Sequence, residues 1–80
     1  MESGIYRDYK GGYYQVLGVA EHTETGERVV VYVSLTGISE EGPRMRVRPV
    51  GGPDGFFTMV RLGDELVARF SYCGEELSAG

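Results

Sequence analysis

Apolar and polar positions along this chain alternate with a period of two, and no helix-length window carries apolar residues at i, i+3, i+4 and i+7 without a glycine or proline interrupting it. The clearest signal is a pair of segments, Tyr13–Glu21 and Arg28–Leu35. Both are rich in β-branched and aromatic residues, and the run His22-Thr23-Glu24-Thr25-Gly26-Glu27 joins them. Gly26 suits the left-handed position that closes a short hairpin loop. With Thr23 and Glu27 flanking the turn, Leu17, Val19, Val29, Val31, Val33 and Leu35 share one face, which is expected to be core. Tyr14, Val16, Gly18, Ala20, Val30 and Tyr32 share the other, with Tyr32 covering Gly18 across the strands. Two largely apolar faces predict a strongly curved sheet that closes on itself.

The remaining strands are shorter. Ile5–Tyr9 turns through Lys10-Gly11-Gly12 to pair with Tyr13 onward. Met45–Arg48 alternates and is stopped by Pro49, and Phe57–Leu62 and Leu66–Tyr72 flank Gly63-Asp64-Glu65 as a final hairpin. The stretch from Thr36 to Pro43 reads as a mobile polar loop, Val50–Gly55 as a second loop, and Gly74–Gly80 as a fraying tail. The expectation is all-β: a single domain over 1–80, with an ordered core at 5–72, a flexible tail at 73–80, and five to six short antiparallel strands in a small barrel or roll.

Composition narrows the chemistry. The chain has 80 residues, a net charge of −4 and 13 glycines, which favour turns and bulges over helices. One cysteine and one histidine exclude an internal disulfide and a multi-cysteine zinc site, so no cofactor or metal is expected. The longest apolar run, Val29–Val33, is far short of the roughly 20 residues of a membrane helix. The N-terminus lacks the basic flank and apolar stretch of a secretory signal, so the expected setting is cytoplasmic, with no membrane partner.

The stretch from Tyr6 to Thr25 resembles a family of small bacterial β-domains of unknown function, whose pattern runs Y-R-H-Y-K-G-x-x-Y-x-V-L-G-x-A-x-H-x-E-T, then V-V-Y, then W-V-R-P, then a phenylalanine-bearing segment. Val30-Val31-Tyr32 and Val47-Arg48-Pro49 fit the second and third parts, and Phe56-Phe57 and Arg69-Phe70 fit the last. The resemblance implies an SH3-like barrel or roll and no particular activity. Asp8 stands where the pattern has histidine, and Arg46 where it has tryptophan.

Each candidate side chain has a structural reading beside its functional one. His22 as a general base would need an orienting carboxylate, from Glu24 or Glu27, and a nucleophile that the sequence does not supply; bonding to its own hairpin is the favoured reading. Cys73 reads as a half-buried, inert thiol. Arg44, Arg46 and Arg48 project from one face as a ladder of guanidinium groups. Internal pairing or solvation is favoured over an external anion. Tyr6 and Tyr32 are expected to be buried with wet hydroxyls, and some of Tyr9, Tyr13 and Tyr14 to stay partly exposed.

The combined expectation is a non-enzymatic module that docks an unknown protein segment or small anionic ligand on Tyr9, Lys10, Tyr13, Tyr14, Arg46 and Arg48. Two-fold self-association stands as a variant. A nucleic-acid-binding barrel is the alternative, opposed by the acidic balance. An enzyme comes last, for want of a catalytic constellation.

Overall fold

The computed structural model describes residues 2–36 and 44–75, so the expected mobile loop, apart from Thr36, and most of the expected tail lie outside the described residues. Seven strands follow in chain order: β1 (Gly4–Asp8), β2 (Tyr13–Glu21), β3 (Arg28–Ser34), β4 (Met45–Pro49), β5 (Met59–Leu62), β6 (Glu65–Ala68) and β7 (Phe70–Gly74). Among the described residues there is no helix. Five strands form one antiparallel sheet in the order β4-β3-β2-β1-β7, and β5 and β6 form a separate two-stranded hairpin.

The all-β expectation holds, with two corrections to the architecture. The described residues form seven strands rather than five or six. The expected segment Leu66–Tyr72 breaks at Arg69, where the chain leaves the β5–β6 hairpin and turns to pair with β1. Nor does the main sheet close: its two edges, β4 and β7, are not paired to each other. Its core face is covered by side chains instead. The segment after β4 folds over one sheet face and inserts Phe56, held by hydrogen bonds from Phe56 N to Pro49 O (2.7 Å) and Phe57 N to Val50 O (3.4 Å).

The core is Tyr6, Val16, Val30, Tyr32, Phe56 and Phe70, with Tyr14 and Val50 packed against it. Phe56 and Phe70 stack at 4.0 Å, and Tyr6, Tyr14 and Tyr32 surround them edge-on. The edge-on contacts are geometries that an aromatic quadrupole favours. Gly55 lets Phe56 reach this position: a Cβ there would lie 2.6 Å from the Gly51 backbone.

This core lies on the face of the β2–β3 hairpin opposite to the expected one. Leu17 is 50% exposed, whereas Val16 and Val30 are fully buried; Val19, carried by the bulge to a place opposite Val30, is still 47% exposed near the turn. Two local features also shift the register. The turn closes one residue early, with His22 N bonding Glu27 O, so that Glu21 rather than His22 faces Arg28. Leu17 is then an extra residue, a bulge that sets Val16 opposite Tyr32 and Gly18 opposite Val31, so the expected Gly18–Tyr32 pair does not form. Gly18 (φ +154°) has open space where a Cβ would sit. Its glycine serves backbone conformation rather than packing.

Candidate functional site

Across the Lys10-Gly11-Gly12 turn, β1 and β2 pair Arg7 with Tyr13 and Tyr6 with Tyr14. Pleating sends Tyr6 and Tyr14 to the core face and Arg7 and Tyr13 to the opposite one. Asp8 builds the turn: its Oδ1 accepts hydrogen bonds from Lys10 N (3.0 Å) and Gly12 N (2.9 Å), and its Oδ2 lies 3.4 Å from the donating Tyr14 hydroxyl. Two cations flank this turn, each over an aromatic ring: Arg7 over Tyr13 at 5.7 Å and Lys10 over Tyr9 at 5.6 Å. Such stacking leaves guanidinium and ammonium hydrogens free to meet an anion while holding the side chain in place.

Beside the turn lies a cleft of about 450 Å³, where the β5–β6 hairpin approaches β1 and β7. Leu62, Val67 and Ala68 give it an apolar wall; Arg7, Asp8, Tyr9, Ser71 and Cys73 line the rest. Its volume falls in the range of small-molecule sites, and its lining mixes an apolar surface with few polar groups.

The six expected site residues do not form one surface. Tyr9 lines the cleft, and Lys10 and Tyr13 meet it through their partners Tyr9 and Arg7. Tyr14 is turned inward, half-buried, its ring edge-on to Tyr32 and Phe70. Burial, and after it the Asp8 carboxylate, push its phenol above the usual tyrosine range, while Arg46 pulls the other way. Arg46 is exposed on β4 opposite Tyr32. Arg48 is bent onto the loop before Phe56, donating to Asp54 O at 3.0 Å, and Arg69 donates to Pro53 O at 3.2 Å. Two guanidinium groups thus hold the carbonyls of one loop, and the arginine ladder is divided between support and exposure.

The other candidates resolve locally. His22 is exposed, and its Nδ1 accepts from Glu24 N (3.2 Å) and Thr25 N (3.4 Å), so it caps its own hairpin. Cys73 is exposed rather than half-buried, because it lies on the face of β7 away from Phe70 and Tyr72. No group of three or more metal-ligating side chains occurs among the described residues. No described helix is long and apolar enough to cross a membrane.

Arg7, Leu62 and Val67 were missed as site residues. Arg7 was within reach, since a tight turn at Gly11-Gly12 sets it opposite Tyr13. Leu62 and Val67 carry no local mark, because their role depends on where the hairpin lands.

A family model for a protein of unknown function, DUF1653, matches residues 4–72. A crystal structure of a DUF1653 protein from Bordetella bronchiseptica is 33% identical in sequence with a TM-score of 0.80, covering 100% of this chain and 95% of that one. No curated protein matches.

Proposed function

The chain belongs to DUF1653, a family of small bacterial proteins of unknown function, and we propose that it is a non-enzymatic binding module whose cleft takes a small anionic ligand with an apolar body. The observation that carries this reading is the cleft itself: about 450 Å³, walled by Leu62, Val67 and Ala68 and lined by Arg7, which stacks on Tyr13. A flat apolar body fits against Leu62 and Val67, and its carboxylate or phosphate meets the Arg7 fork, the residue type suited to bidentate anion recognition. Lys10, held over Tyr9, adds a second cation at the rim.

Phenyl phosphate and benzoate, titrated into isotope-labelled protein and followed by amide chemical shifts, test it. The expected result is movement of Arg7, Tyr9, Ser71 and Cys73, binding that weakens about tenfold in Arg7→Gln, and weaker binding of neutral benzamide. Amides of the cleft that stay fixed at millimolar ligand would refute the proposal.

A further inference from the structure

The main sheet ends at β4, whose outer edge pairs with no described strand. Antiparallel ladders alternate between pairs that exchange hydrogen bonds and pairs that do not. Val50 N donates to Arg28 O, so counting back along the register makes Arg48–Val30 and Arg46–Tyr32 the bonded pairs. Met45 and Val47 therefore turn their N–H and C=O groups outward. Pro49 has no N–H and closes the edge at that end. Both outward residues carry exposed apolar side chains, Met45 at 56% and Val47 at 61%, on the face away from the core. Arg46 is exposed on the other face, and Arg48 shares that face.

We propose that this edge takes an extended segment of a partner protein as a sixth strand, and that the segment alternates apolar and acidic residues. Charge decides the occupant. Every antiparallel pairing with a second copy that keeps Met45 and Val47 against apolar residues also sets arginine against arginine, and directly opposed like charges are destabilising in a sheet. Charged edge residues of this kind protect against edge-to-edge self-pairing. An acidic strand turns the same repulsion into attraction. The residue facing Arg46 falls in a non-bonded pair, where cross-strand side chains approach closest. Its neighbours exchange main-chain hydrogen bonds with Met45 and Val47, as in other strand-addition complexes. In a chain of net charge −4, this edge is a place where an acidic partner meets positive charge first.

The probe is the capped peptide Val-Glu-Val-Glu-Val, titrated into labelled protein with hydrogen exchange as a second readout. The expected result is slowed exchange at the Met45 and Val47 amides with no movement at Arg7 or Tyr9. Arg46→Glu weakens this peptide about tenfold and favours its lysine counterpart, Val-Lys-Val-Lys-Val. Val47→Pro removes a donor that bonds nothing within the sheet, and abolishes binding. Should that variant fail to fold, N-methylation of the peptide's central valine has the same effect. The inference is overturned if the peptide leaves both amides unprotected at millimolar concentration, if the lysine peptide binds wild type equally well, or if the peptide settles in the cleft. It is overturned too if octathymidine produces the same shifts at Arg46 more tightly than the acidic peptide.

Discussion

Asp8 shows how one side chain sets a local structure. It caps two backbone amides of the β1–β2 turn and faces the Tyr14 hydroxyl, so it fixes the loop that presents Tyr9 and Lys10. A carboxylate in this role also acts on its neighbour. The phenols of Tyr14 and Tyr6 are both raised, first by burial and then by the nearby acids Asp8 and Glu2. A folded-state pKa above the unfolded value near 10 means the folded protein keeps its proton longer. The resulting stability is full below about pH 10 and is lost as pH rises through the folded value. Denaturant midpoints are therefore expected to fall steadily above about pH 10, with a shallower fall in Tyr14→Phe; an identical slope in that variant would contradict this account.

At the scale of elements, the β2–β3 hairpin was legible and its orientation was not. Its strand bounds follow from the β-branched run and the Gly26 turn, and Gly26 has the expected left-handed φ of +76°. Which face would be buried could not be read, because Leu17, Val19, Val31 and Val33 are as apolar as Val16, Val30 and Tyr32. The bulge at Leu17 then offset any register guessed from the turn. Two adjacent truncations test the observed arrangement by thermal and denaturant unfolding. Val16→Ala, at a fully buried site, is expected to cost about 2–3 kcal/mol, and Leu17→Ala, at a half-exposed one, less than about 1 kcal/mol. The reverse order would restore the face expected from the alternation.

For the whole molecule, stability depends on how a non-strand segment completes the core. Phe56 lies outside every strand, yet it is fully buried and stacked on Phe70. Arg48 and Arg69 hold the loop that delivers it by its carbonyls. Phe56→Ala is expected to cost about 3–5 kcal/mol, a large share of the stability of so small a domain, and to expose the core to a hydrophobic dye. Calorimetry showing a midpoint within a few degrees of wild type would mean that the sheet is sealed by something else. The open sheet also explains why the site residues separated. Without closure, β1 and β4 lie three strands apart, so Arg46 and Tyr9 belong to different surfaces.

Local interactions alone determined the all-β character, the β1–β2 and β2–β3 turns and the hairpin-capping role of His22, since each depends on residues close in the chain. The choice of core face, the opening of the sheet, the insertion of Phe56 and the meeting of Leu62 and Val67 with Arg7 were settled only by tertiary packing. Two equally apolar faces compete there, and the winner is the one that a distant aromatic segment can reach and cover.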